Sequence, residues 1–327
     1  MRAIVRQQFG GPEQLRIQNV PDPEPAAGEV LIRVKAFGLN RAEQYFRQGL
    51  WGEVDAISGI ECVGTVENDP SGRLDRGQTV LALMGGMGRS RPGSYAEQVC
   101  APASSVVAVR SRLDWARLAS LPETYATAWS CLHDNLALRP GDCLLIRGAG
   151  SALGQAAIEL ASRAGATVLA QARSPRSLEQ ATRLGAQGAA ADVSALDACL
   201  ARFAPQGLNA VLDLVGTTTI LDSLRRLRRG GRACLAGFLG GAEPLSALDP
   251  LRDLPSGRHL SFFGSAFVYG TADYPLADIP FQSLIDQAER GELRAQPARV
   301  FGFDDIQAAH RLLDAEAAGG KIVVRVD

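Results

Sequence analysis

The 327-residue chain has little of what a disulfide scaffold, a zinc site or a charged interface requires. Its six cysteines, Cys62, Cys100, Cys131, Cys143, Cys199 and Cys234, are scattered, and no two form a C-x-x-C pair. Disulfides are therefore not expected, and thiols in apolar stretches serve as small hydrophobes. With only His133, His259 and His310, imidazole ligands for zinc are scarce. Cys131 and His133, two apart on an expected helix, point to different sides. Neither sign of charge dominates: 34 Lys and Arg oppose 35 Asp and Glu, for a net charge of −1. No global field thus favours nucleic acid or an anionic membrane. No apolar run reaches the roughly 18 residues of a membrane span. The opening segment MRAIVRQQFGGPEQL lacks the apolar core of a signal peptide, so a cytoplasmic location is expected.

What is present is ordinary for a folded protein, with 46% hydrophobic and 21% charged residues. The length suggests two domains, each able to bury its own core.

The most informative stretch is CLLIRGAGSALGQAAIELASRA, Cys143 to Ala164. Cys143 to Ile146 reads as a strand buried on both faces of a parallel sheet. Gly148 and Gly150 permit a sharp turn and close approach to a pyrophosphate, whose charge is favoured at the N-terminus of a helix beginning near Ala152. Gly154 removes a side chain where that helix lies against the strand. The frame is G-x-x-G-x-x-G with Ser151 in the middle, and a second strand, Thr167 to Gln171, follows. Strand, turn, helix and strand together predict dinucleotide binding. At the end of the second strand an NAD site places an acid on the ribose 2′-hydroxyl. Here stand Arg173, Ser174 and Arg176, which suit a 2′-phosphate and predict NADPH over NADH. Asp192, at the end of the third strand, would oppose that phosphate if it faced it.

From Asp142 onward strands and helices alternate as in a doubly wound parallel sheet, an α/β pattern. Strands are expected at Ala189 to Ala191, Ala210 to Val215 and Arg232 to Ala236, with helices near 176–184, 196–203 and 220–227. Ligands in such sheets bind beyond the strand C-termini, which brings Val215 and Gly237 into the expected site. The first ~120 residues, with turn-rich segments between strands such as Val30 to Ala36 and Cys62 to Glu67, read as all-β. Asp304 to Gln307 begins a helix with a capping-box-like start, and Lys321 to Val326 closes the chain as a strand that rejoins the β domain, making it discontinuous. The glycine-dense loop Met84 to Gly93 is a candidate mobile rim of an acceptor cleft.

A β domain, a central dinucleotide-binding unit and a returning C-terminus resemble the medium-chain dehydrogenase/reductase superfamily. GLNRAEQYFRQG (38–49), GIECVGTVE (59–67), GSYAEQV (93–99), LPETYATAW (121–129), DLVGTTTILDSL (213–224), PSGRHLSFFGSAF (255–267) and GKIVVRV (320–326) are similar to its zinc-free NADPH:quinone oxidoreductase branch, of zeta-crystallin type. The resemblance covers essentially the whole chain. It implies a discontinuous GroES-like β-rich catalytic domain at 1–122 and 268–327, and a Rossmann NADP-binding domain at 123–267. Where zinc-dependent relatives carry cysteine and histidine ligands, this chain has Asn40 and Ile60, and it lacks the four-cysteine loop of a structural zinc.

By the same resemblance Asn40 and Thr127 border the nicotinamide, and Ser151, Ala152 and Leu153 cover the pyrophosphate. Phe238 and Leu239 flank the ring, the segment Phe263, Ser265 and Phe267 closes over the cofactor, and Lys321 lies near the phosphates. Tyr45 is a candidate proton donor, with water as donor or an uncatalysed protonation as the alternatives. Six residues on, where related reductases have a further tyrosine, stands Trp51, which can donate a hydrogen bond but not protonate a carbanion. The expected activity is zinc-independent hydride transfer from NADPH to a small-molecule quinone or an α,β-unsaturated carbonyl compound. The alternatives are an enoyl-thioester reductase of a biosynthetic pathway and a non-catalytic NADPH-binding sensor. A homodimer paired through edge strands near 260–266 is implied as well.

Overall fold

Alternating buried residues and glycine turns build the first part of the chain as strands. The computed structural model describes residues 1–326 except Ala242 and Ala247. It divides into two units, Met1–Ala126 with Ser265–Asp327, and Thr127–Gly264. These junctions lie a few residues from the positions expected from the sequence.

The first unit opens with an antiparallel pair, β1 (Arg2–Arg6) and β2 (Leu15–Asn19). Five strands follow: β3 (Glu29–Leu39), β4 (Glu61–Asn68), β5 (Thr79–Leu83), β6 (Gln98–Pro102) and β7 (Val106–Ala108). Strand β3 is the longest because its inward residues Val30, Ile32, Val34 and Phe37 all bury their side chains. It pairs antiparallel with both β4 and β6. After β3 the chain turns into the helix Arg41–Gln48, which Gly49 ends in the left-handed region at φ 77°.

The second unit holds one sheet of six strands: β8 (Cys143–Arg147), β9 (Thr167–Gln171), β10 (Gly188–Ala190), β11 (Leu208–Asp213), β12 (Leu227–Leu235) and β13 (His259–Phe262). Their order is β10-β9-β8-β11-β12-β13, and every pairing is parallel. Numbered within the unit this is 3-2-1-4-5-6, the dinucleotide-binding order, whose switch point lies beside β8. All of β8 is buried, as a central parallel strand requires. Helices Ala152–Arg163, Pro175–Arg183, Val193–Phe203 and Ile220–Arg225 connect successive strands.

The last segment adds β14 (Arg299–Gly302), the helix Ile306–Asp314 and β15 (Ile322–Arg325). Strand β15 lies between β14 and β3, so the C-terminus completes the seven-stranded sheet of the first unit. The capping box expected at Asp304 to Gln307 does not form. A 3-10 turn over Phe303–Asp305 leads into the helix without a side-chain cap, and Asp304 pairs with Arg2 instead. No helix among the described residues is long and apolar enough to cross a membrane.

Candidate active site

At the start of the helix Arg41–Gln48, Asn40 is held in an extended conformation with its backbone N–H donating to Glu43 Oε2 at 2.8 Å. Glu43 Oε1 accepts from the backbone N–H of Ile60 at 3.1 Å. One buried carboxyl thus ties the helix to the entrance of β4. Burial pushes the Glu43 carboxyl up to about 7, opposed by the Ile60 N–H and by Lys321.

Glu61, wholly buried, organises the other side. Its Oε2 accepts from the backbone N–H of Glu123 at 2.7 Å, near the start of the helix Pro122–Ser130, where a negative charge is favoured. Its Oε1 accepts from Lys321 Nζ at 2.6 Å and from Asn40 Nδ2 at 2.9 Å. Lys321 Nζ also donates to Asn40 Oδ1. Burial draws the Lys321 ammonium down, but Glu61, Glu123 and Glu43 outweigh that effect and leave its pKa raised. The residue is therefore a cation within an acidic nest.

These contacts fix the Asn40 amide. An ammonium can only donate, so Oδ1 faces Lys321 and Nδ2 faces Glu61. One Nδ2–H then has no acceptor among the described residues. Asn40 is partly exposed, so this donor can meet a ligand.

Tyr45, on the same helix, stacks against Trp51 at 6.2 Å, and Trp51 stacks against Phe267 at 5.3 Å. Burial raises the Tyr45 pKa against the pull of Arg41, so the phenol keeps its proton at neutral pH. Arg89 lies over the Phe267 ring at 4.7 Å and near Trp51 at 6.0 Å.

The second unit carries the glycine turn. Gly148 takes φ 81°, and a Cβ there would come within 2.8 Å of Leu239 and 3.1 Å of Leu214. A Cβ on Gly154 would lie 2.5 Å from the Gly148 carbonyl oxygen, so the helix approaches the turn as closely as glycine allows. Ser151 caps that helix, its Oγ accepting from Gly154 N–H at 3.0 Å and donating to the Gly148 carbonyl at 2.8 Å. This occupies the hydroxyl and leaves Ala152 and Leu153 to present the first helical amides. The turn after β11 is held by Asp213, whose carboxylate accepts from Val215 N–H, Gly216 N–H, Thr219 Oγ1 and Ser223 Oγ. Gly237 packs against Leu214, and Leu239 N–H donates to the Leu214 carbonyl at 3.0 Å. These features fit a dinucleotide phosphate group: the turn is lined by backbone, and a side chain at either glycine would collide with the residues packed against it.

Arg173, Ser174 and Arg176 are exposed at the end of β9. Ser174 caps the helix Pro175–Arg183, its Oγ accepting from Ser177 N–H and donating to Ser177 Oγ at 2.8 Å, so its hydroxyl is engaged within the turn. Asp192 caps the helix Val193–Phe203, accepting from Ala195 N–H at 2.8 Å. Its carboxylate is thereby assigned a local structural partner.

The expected residues gather in two sets. Asn40, Tyr45, Ser265, Phe267 and Lys321 belong to the first unit, and Thr127, the 148–154 turn, Arg173, Ser174, Arg176, Val215, Gly237, Phe238, Leu239 and Phe263 to the second. Phe263 is buried, whereas Phe267 is exposed and joins the Trp51 stack. Thr127 is buried within the helix Pro122–Ser130. Lys321, expected near phosphates, has its ammonium engaged by Glu61 and Asn40, because a buried lysine draws the nearest buried acid. The loop expected as a mobile rim is tied down: Met84 N–H donates to the Ile60 carbonyl and Asp55 N–H to the Arg89 carbonyl, while Met87 is fully buried. Sequence reading missed Glu43, Glu61 and Arg89. The signal for Glu61 was an acid inside the apolar run ISGIECVGTV, which must find a cation once buried.

A zinc ion fits this nest poorly. Ile60 has no donor atom, and the Glu61 carboxylate is already bound to an ammonium. Among the described residues no group of three or more His, Cys, Asp and Glu is placed to hold a metal.

A β-rich unit bearing a locked amide donor, with a parallel sheet bearing a phosphate turn, defines a nicotinamide-dependent oxidoreductase class. Residues 26–111 match the model of the alcohol dehydrogenase GroES-like domain, and 152–281 that of the zinc-binding dehydrogenase. The chain belongs to the medium-chain dehydrogenase/reductase family of oxidoreductases. It is 25% identical to a quinone oxidoreductase of Lama guanicoe, over 99% of this chain and 97% of that one. It is 26% identical to a 2-haloacrylate reductase of a Burkholderia species, over 99% and 98%. A mycobacterial protein solved in complex with NADPH superimposes with a TM-score of 0.85 at 25% identity, covering 100% of both chains.

Proposed function

We propose that the protein is a zinc-independent, NADPH-dependent reductase of conjugated carbonyl compounds, quinones or α,β-unsaturated carbonyls. The observation that carries this reading is the Asn40 amide, fixed by Lys321 and Glu61 with one N–H left for an acceptor oxygen. Such a donor strengthens as negative charge collects on that oxygen during reduction. The named activities of the two relatives, on a quinone and on a haloacrylate, both concern conjugated electrophiles.

NADPH, when bound, supplies hydride to the electrophilic carbon of the acceptor. In this reading the 148–154 turn and the amides of Ala152 and Leu153 hold the pyrophosphate, and Arg173 and Arg176 hold the 2′-phosphate. Val215, Gly237, Phe238, Leu239 and Phe263 line the nicotinamide side of the second unit, as Thr127, Ser265 and Phe267 do at the junction segments. Tyr45, protonated at neutral pH, donates to the reduced acceptor. Lys321 orders Asn40 rather than contacting phosphate. The activity needs no Lewis acid because amide and phenol donors receive the developing charge. We further propose a homodimer paired through β13, where Leu260 and Phe262 are exposed at the end of the sheet.

The test is oxidation of NADPH and of NADH with a panel of quinones and enones. Turnover with conjugated acceptors at a lower KM for NADPH is expected. No turnover despite NADPH binding would overturn the activity, and equal KM values would overturn the cofactor preference.

A further inference from the structure

Arg89 is a guanidinium without an acid. Four buried or half-buried arginines of this chain hold carboxylates: Arg47 binds both oxygens of Asp314, Arg91 pairs with Glu29, Arg147 with Asp222, and Arg226 with Asp222 and Asp197, whereas Arg6, Arg117 and Arg258 bond backbone carbonyls within the fold. Arg89 makes no ion pair with any described residue, and the one hydrogen bond of its guanidinium among them runs from Nη1 to the Ala266 carbonyl at 2.6 Å. A guanidinium carries five N–H donors, so most remain available. Burial, with no acid nearby to oppose it, lowers the Arg89 pKa, which is the mark of an uncompensated cation.

The side chain is nevertheless held in place. Its Cα belongs to the tied loop: Arg89 N–H donates to the Gly86 carbonyl at 3.0 Å, and the Arg89 carbonyl accepts from Asp55 at 2.9 Å. Its guanidinium rests on Phe267, with Trp51 beside it and Tyr45 stacked on Trp51. The cation thus stands on the same aromatic wall as the candidate proton donor. Arg41, the other arginine near Tyr45, is bound to Glu316 at 2.8 Å and offers no second free charge. A single guanidinium matches a monoanion in fork geometry, whereas a phosphate dianion calls for more positive charge.

We propose that Arg89 is the binding residue for a carboxylate on the substrate, so that the acceptor preferred by this site is a conjugated carbonyl compound that also bears a carboxylate. The proposal rests on the reading of the Asn40 and Tyr45 wall as the acceptor site. The overall reaction balances: hydride leaves the reduced nicotinamide, which becomes oxidised, and forms a C–H bond at the β-carbon, while the alkene π pair shifts to join the α-carbon to the carbonyl carbon and the carbonyl π pair moves onto oxygen. A proton from the Tyr45 phenol, replaced from solvent, then completes the C–H bond at the α-carbon and restores the carbonyl.

The test uses the full chain with NADPH and two acceptors, (E)-4-oxo-2-pentenoate and its methyl ester, on the wild type, Arg89→Gln and Arg89→Lys. Gln keeps a donor for the Ala266 carbonyl, and Lys keeps the charge without the fork. We expect the wild type to prefer the acid. The ratio of kcat/KM for acid over ester should fall roughly 10- to 100-fold in Arg89→Gln, the size of a charged hydrogen bond, with partial recovery in Arg89→Lys. An equal loss on both acceptors, or no preference in the wild type, would overturn the proposal. Calorimetric titration with 4-oxopentanoate, the saturated product, separates this from the catalytic reading. If neither acceptor turns over, that reading fails, while binding to the wild type that is lost in Arg89→Gln still supports the carboxylate site. Absence of binding, or equal binding to both proteins, rejects it.

Discussion

His310 shows how a single buried polar residue is decided by its neighbours. It is fully buried, with Nδ1 accepting from Arg47 Nε at 3.3 Å and Nε2 3.0 Å from the Tyr95 hydroxyl. Arginine can only donate, so Nδ1 is the acceptor and Nε2 carries the proton. Burial, helped by the Arg47 charge, depresses its pKa to about 3. Folded His310 therefore stays neutral where the unfolded residue, near 6.5, takes up a proton, and its stabilising share is lost as pH falls from 6.5 towards 3. Replacing it by glutamine removes that dependence. The stability gap between wild type and His310→Gln, read by urea unfolding, should narrow by about 2 kcal/mol between pH 7 and pH 5. A constant gap would mean the imidazole titrates normally. Glu43, with a raised pKa, acts in the opposite sense in the wild type and its variant alike.

At the scale of elements, the second unit was legible almost strand by strand. Thr167 to Gln171 has the expected limits, β8 gains only Arg147, and the helix from Ala152 begins where the glycine turn releases it. Local chemistry explains that success: apolar runs, glycine turns and serine or aspartate caps are all read within a few residues. Strand Arg232 to Ala236 proved longer, starting at Leu227, because its first residues pair across an irregularity opposite β11. Gly154 gives the sharpest test at this scale. An added methyl would press on the Gly148 carbonyl and on Ala149, so Gly154→Ala should cost about 1–3 kcal/mol and reduce the thermal shift produced by NADPH. An unchanged melting temperature with an unchanged NADPH shift would show that the turn has slack.

For the whole molecule, the chain's return is the deciding feature. Strand β15 pairs with β3 from nearly three hundred positions away, and Lys321 beside it closes the nest around Asn40. At the other unit's sheet end, β13 exposes Leu260 and Phe262, an apolar edge that invites a second strand. Phe262→Glu should therefore shift a dimer to monomer in sedimentation equilibrium. A wild type that sediments as monomer would reject the proposed pairing.

The sequence by itself determined the parallel sheet, its glycine cradle and the scarcity of zinc ligands, because each depends on residues close together in the chain. Only the tertiary structure decided that Lys321 binds Glu61 and Asn40, and that Arg89 has no acid among the described residues. Those outcomes depend on which charges meet after burial, and the meeting of residues 40, 61 and 321 is set by strand pairing across the first unit rather than by local pattern.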